Sequence, residues 1–150
     1  MRVQLASELE EVLSYQHSGR DENHPIERRD SLRRIWAQRI AGCQREVEIW
    51  QPLLVVRSLV LDPSEDPDSF IDFANLARRQ GRFGLARKAL NALLDLTDTE
   101  DSHLLSLNGM PRAAYAYCKL EWAADQRDGA VAHLQELVAG VRCATGRVES

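Results

Sequence analysis

Pro67-Asp68-Ser69-Phe70-Ile71-Asp72-Phe73-Ala74-Asn75-Leu76-Ala77-Arg78-Arg79-Gln80-Gly81-Arg82-Phe83-Gly84-Leu85-Ala86-Arg87-Lys88-Ala89-Leu90-Asn91-Ala92-Leu93-Leu94-Asp95 is the stretch whose reading decides the fold. Asp66, just before it, offers a side-chain oxygen to the first free N–H groups of a helix. Pro67 suits the first helical position, where its missing N–H costs nothing. The spacing predicts helices over 67–80 and 82–95, turning at Gly81. Phe70, Phe73, Ala74 and Ala77 lie on one helix, and Ala86 and Leu90 on the other. The small residues let the helices approach, and the aromatic ones fill the space beside them.

Downstream, Asp95 to Gly109 reads as a polar linker. Pro111 starts another helix running to about Gln126, and Asp128 caps a last one ending near Val141. Ala114, Tyr117, Ala130, Leu134 and Leu137 occupy the same relative places as residues of the first hairpin, offset by 44 residues. Both hairpins follow the loose tetratricopeptide alternation of small and large side chains. Cys143 to Ser150 shows no periodicity and is an unassigned tail.

Upstream, residues 2–17 place Leu5, Leu9, Val12 and Leu13 on one face. Glu8, Glu10 and Glu11 fall off it and read as a solvated face. His17-Ser18-Gly19 closes that helix. Leu32, Ile35, Trp36, Ile40, Cys43, Val47, Trp50 and Leu54 then recur at steps of three and four, giving one long apolar stripe. Pro52 removes a backbone bond and clashes with the preceding turn, so a break or kink is expected near Glu48–Gln51. Leu53 to Leu61 could be a buried strand by composition, but no second strand-like run exists to pair with it. A buried helix is the better reading. The fold class is therefore all-α, with about six helices in antiparallel hairpins forming a tetratricopeptide-like solenoid over residues 1–142.

Composition agrees with a soluble folded chain of 150 residues, 44% hydrophobic and 28% charged. The net charge of −4 argues against a nucleic-acid binder. Charge comes in blocks: six Arg in 27–45, five acids in 62–72, and five bases in 78–88. Cys43, Cys118 and Cys143 form no CxxC and leave one unpaired, which points to a reducing, intracellular setting. No run reaches the ~18 apolar residues of a membrane span, and Glu8, Glu10 and Glu11 rule out a signal-peptide core.

No constellation in the chain carries chemistry. There is no phosphate-cradling glycine loop, nucleophile elbow, HExxH or kinase catalytic-loop signature. His17, His24 and His103 fall in or beside expected loops, and His133 is expected to be neither ligand nor base. Trp36, Trp50 and Trp122, with Phe70, Phe73 and Tyr117, are expected to serve packing.

A second set of residues adds to this reading. Arg39-Ile40-Ala41-Gly42-Cys43-Gln44-Arg45, Trp50-Gln51 and Val56-Arg57-Ser58-Leu59-Val60-Leu61 are followed in order by Pro63, Glu65-Asp66, Phe73-Ala74, Gly81-Arg82, Leu85-Ala86 and Lys88. Tyr115-Ala116-Tyr117, Lys119 and Trp122 come next. Across roughly residues 5–138 the chain resembles the FAT region of the target-of-rapamycin (TOR) kinases, Ser/Thr protein kinases of the phosphatidylinositol-3-kinase-related family. That resemblance implies a partial FAT helical-repeat domain over 1–142, with no catalytic residue of its own. Such a segment braces a kinase domain in the same polypeptide and offers surface to regulatory subunits in cytoplasmic nutrient and growth signalling. It also implies a basic pocket for inositol hexakisphosphate, to which Arg45, Arg79 and Lys119 correspond. Asp72 and Ala123 depart from it, standing where the family can carry lysine. Pro52 departs as well. The other class of function is a free-standing tetratricopeptide-like module with a peptide groove lined by Asn75, Arg78 and Arg82, although two repeats fall short of the three such stacks usually need.

Overall fold

The computed structural model describes residues 2–18, 25–94 and 110–145. Among these residues it contains seven α-helices packed in consecutive pairs and no strand. They are α1 (Arg2–Ser18), α2 (Pro25–Gly42), α3 (Val47–Arg57), α4 (Pro67–Arg79), α5 (Phe83–Leu94), α6 (Pro111–Ala123) and α7 (Arg127–Thr145), with a 3-10 turn at Pro63–Glu65. The all-α reading holds. Most of the expected polar linker from Asp95 to Gly109 lies outside the described residues. The chain divides into two compact units, Met1–Ser69 and Phe70–Ser150.

In the first unit, α1 packs on both α2 and α3. Val12, Tyr15, Trp36 and Leu61 form a buried cluster, with Leu32, Val56 and Val60 against it. The Tyr15 and Trp36 rings sit 5.6 Å apart. This corrects the expected inward face of α1. Leu9 and Leu13 are 43% and 54% exposed, while Glu8, Val12 and Tyr15 are buried. The true inward positions are Leu5, Glu8, Val12 and Tyr15, at steps of three, four and three, and one of them is charged.

The break in the long apolar stripe also differs from expectation. It falls at residues 43–46, upstream of Pro52, which lies inside α3. Gly42 ends α2, where a glycine in a helix interior would cost about 1 kcal/mol relative to alanine. The Trp50 indole N–H then donates to the Gln44 carbonyl at 3.0 Å, satisfying a turn group from within the core. Pro52 sits only in the second turn of α3. There its ring disturbs one early carbonyl, that of Glu48, and the helix continues past it.

In the second unit the 44-residue repeat becomes geometry. The Arg82 N–H donates to the Ala77 carbonyl at 2.8 Å and the Gly81 N–H to that of Arg78 at 3.1 Å. Gly81 itself is left-handed, with φ +74°. That is a Schellman closure. Forty-four residues on, the Gln126 N–H donates to the Glu121 carbonyl at 2.9 Å and the Asp125 N–H to that of Trp122 at 3.3 Å. Asp125 occupies the left-handed position, with φ 63°. Both hairpins therefore turn by the same hydrogen bonds, one with glycine and one with aspartate. Ala77, Ala86, Ala113 and Ala114 are completely buried. Asp66 accepts from the Ser69 N–H at 3.4 Å ahead of α4, at the position expected for its cap. Asp128, expected to cap the last helix, instead lies within the first turn of α7.

Candidate functional site

The basic residues singled out from the sequence divide between the two units. Arg45 lies in the turn between α2 and α3 of the first unit, exposed at the surface. Arg79 is exposed in the last turn of α4, and Lys119 is half-buried in the middle of α6. The Lys119 ammonium stands 4.7 Å from the centre of the Tyr115 ring. Burial pulls its pKa below the ordinary lysine value, and the charges of Arg78 and Arg79 pull it down further. The fold thus brings Arg79 and Lys119 into electrostatic reach of each other and adds Arg78 to them. Among the described residues, no acid forms an ion pair with any of the three. Asp72 is exposed on α4, two turns before Arg79. Ala123 is the exposed last residue of α6.

The aromatic residues expected to pack are placed unevenly. Trp36, Trp50 and Phe73 are buried, and Phe70 and Tyr117 are half-buried. Trp122 is 54% exposed, with the Arg127 guanidinium 5.4 Å over its ring. The Tyr117 ring meets the His133 ring edge-on at 6.3 Å.

Two clusters of ionisable groups escaped the sequence reading. In the first unit Glu8 is wholly buried. Its carboxylate accepts from Arg57 Nε at 2.9 Å, from Arg57 Nη2 at 2.8 Å and from Arg39 Nη1 at 2.7 Å. Glu11 accepts from both terminal nitrogens of Arg39 at 2.8 Å and from the Trp36 indole at 2.7 Å. The Arg39 guanidinium beside Glu11 holds that carboxyl below its usual range. Glu8 and Glu11 are therefore not a solvated face. They bind Arg57 of α3 and Arg39 of α2, and the four charges cancel. The signal available in the sequence was the spacing of Glu8, Val12 and Tyr15, which puts a carboxylate in line with two core residues.

In the second unit His133 Nδ1 lies 2.7 Å from an oxygen of buried Glu121. Burial, followed by the nearby Glu121 charge, pushes the Cys118 thiol up to about 11. A thiol so far from ionisation is a packing group rather than a nucleophile. Among the described residues no group of three or more His, Cys, Asp or Glu is arranged to hold a metal. No helix of the described residues is long and apolar enough to cross a membrane.

Seven helices in consecutive pairs, two identical hairpin turns and a core of small residues define a helical-repeat segment. The family model described as FAT domain matches residues 1–144, and the chain belongs to that family. It is 40% identical over 134 residues to the Serine/threonine-protein kinase TOR2 of Saccharomyces cerevisiae, a match covering 89% of this chain and 5% of the relative. It is 38% identical over 148 residues to the Serine/threonine-protein kinase TOR of Oryza sativa subsp. japonica, covering 97% of this chain and 6% of that protein. The corresponding kinase of Arabidopsis thaliana is 40% identical over 123 residues, covering 82% and 5%. The chain thus spans about one-twentieth of the length of these relatives.

Proposed function

We propose that this chain is a non-catalytic helical scaffold segment of a TOR-type Ser/Thr protein kinase. Its helices brace the kinase domain of a longer polypeptide and present surface to regulatory subunits in cytoplasmic nutrient and growth signalling. The observation that carries this reading is the FAT match over residues 1–144, together with 38–40% identity to kinases of which the matched stretch covers 5–6%. The last helix supports it physically. Val131, Leu134, Val138 and Val141 recur on α7 at helical spacing and are 40–48% exposed. A repeat stack buries each such face against the next hairpin.

A full-length read of the transcript encoding the chain tests the proposal. Continuation into further helical repeats and a kinase domain is the expected result. A stop after Ser150 would overturn it and leave a separate small helical protein.

Inositol hexakisphosphate is the ligand proposed for the basic residues of the second unit, Arg79 and Lys119. The charge-assisted hydrogen bonds of several cations are needed to hold a polyphosphate in water, because each alone contributes modestly. Arg45, the third cation the resemblance named, belongs to the first unit, and its own substitution tests whether it takes part.

A further inference from the structure

The outward face of α6 alternates cation and aromatic ring. Arg112, Tyr115, Lys119 and Trp122 follow one another at steps of three, four and three, and none of them is buried. Those steps keep the four on one stripe about 15 Å long. Tyr115 and Trp122 are 50% and 54% exposed, although rings of this size are ordinarily covered. Each ring carries a cation. The Lys119 ammonium stands 4.7 Å from the centre of the Tyr115 ring, and the Arg127 guanidinium 5.4 Å from that of Trp122.

Acids are kept off the stripe. Glu121 is the one acid of α6, and it is buried, with His133 Nδ1 of α7 2.7 Å from its carboxylate. Asp125, in the turn that follows, pairs with Arg127 at 3.2 Å in full view of solvent. A solvated helix face is ordinarily polar throughout. This one holds two large rings and no carboxylate.

Such a face fits one kind of occupant best. Tyrosine, tryptophan and arginine are the side chains that most often anchor protein interfaces, and the cations select a partner of opposite sign. Anchors at i, i+3, i+7 and i+10 are how one face of a helix meets a partner segment. Nucleic acid is disfavoured by the net charge of −4. A lipid surface draws on aliphatic side chains that sink into it, and the stripe has none.

We propose that this stripe of α6 is a docking surface for an acidic amphipathic segment of a protein partner. Its carboxylates meet Lys119 and Arg127, and its apolar side chains lie on Tyr115 and Trp122. Covering the rings excludes water from the cations, which strengthens both the cation–π contacts and the new ion pairs. Lys119 is shared with the polyphosphate reading above. Tyr115 and Trp122 are not, so their substitution separates the two.

The test is fluorescence anisotropy of labelled peptides titrated with the whole chain. The probe is a helical peptide of about four turns, with Glu and Leu at helical spacing. Its controls carry Lys in place of Glu, or Ser in place of Leu. The Glu–Leu peptide alone is expected to bind, and more weakly as salt rises. Trp122→Ala should weaken it about tenfold or more, as loss of a central aromatic anchor does. Thermal unfolding checks that the variant is folded, and Tyr115→Ala stands in if it is not. Leu134→Ser, on the exposed face of α7, should leave the affinity unchanged.

Absence of binding, equal binding of the Lys–Leu peptide, or wild-type affinity in Trp122→Ala would each overturn the proposal. Equal weakening by Leu134→Ser would overturn it too, placing the peptide on α7. Sedimentation with anionic vesicles that Trp122→Ala abolishes, with no binding of the peptide, would overturn it in favour of a lipid surface.

Discussion

The two units of this chain are held together by different physics. In the first, three helices meet around two carboxylates and two guanidinium groups, with Glu8 fully buried and Arg57 almost so. In the second, helices approach over alanines, and the polar groups sit mainly at turns and edges. A buried ion network is seldom a gain in stability over apolar packing, because desolvation offsets most of the attraction. Removing one member, however, strands the others. Alanine packing behaves in the opposite way. Each residue contributes little by itself, but the space it leaves for its neighbour admits no larger side chain. The first unit should therefore be vulnerable to deletion and the second to addition.

The largest effect expected is from Glu8→Ala. It leaves Arg57 without an acid partner and should destabilise the first unit by about 3–5 kcal/mol. Chemical denaturation followed by fluorescence reads it, since Trp36 and Trp50 are buried in that unit while Trp122 is largely exposed. Replacing Glu8 and Arg57 together by Leu and Met should cost clearly less than the single change. A double variant as unstable as the single one would break the argument for a matched network.

Ala86→Leu should be felt next. A wholly buried alanine between helices has no room for three more carbons, and overpacking of this kind costs typically about 1–3 kcal/mol. Thermal unfolding measures it. A neutral outcome would show that the second unit yields more readily than its burial pattern implies.

The smallest effects separate the two hairpin turns and carry opposite signs. At Gly81 an added Cβ meets nothing within 4 Å, so Gly81→Ala tests backbone conformation alone. It should cost about 1–2 kcal/mol, the penalty of a left-handed L-residue. Asp125 already bears part of that penalty, so Asp125→Gly should stabilise by about 0.5–1 kcal/mol. Its exposed ion pair with Arg127, at 3.2 Å, gives up little. Shifts of opposite sign in unfolding temperature, the larger at Gly81, would confirm that the repeat is one structure built twice.

How legible was all this beforehand? The second unit was read well because its signals are local. Alternating alanines and aromatics, Pro67 and Pro111 at helix starts, and Gly81 at the turn each act within a few residues. The first unit was read less well because its decisive partners are far apart in sequence. Glu8 meets Arg57 across 49 residues and Arg39 across 31. Reading α1 by hydrophobicity alone therefore chose Leu9 and Leu13 over Glu8, and rotated the helix. The break at 43–46 was misplaced for a similar reason. Pro52 is conspicuous in the chain, whereas the closure made by the Trp50 indole on Gln44 exists only once the helices are packed. Of the candidate site, Arg79 and Lys119 came from the family resemblance.

By itself, then, the sequence determined that this protein is helical, repeats itself at an offset of 44 residues, and follows the pattern of a FAT segment. Periodicity, caps and turn residues act through neighbours in the chain and need no partner to be recognised. Tertiary structure decided which face of each helix is inside, which charges cancel and which remain uncompensated. Those outcomes depend on what a side chain meets after burial. A carboxylate that meets two arginines can be part of a core.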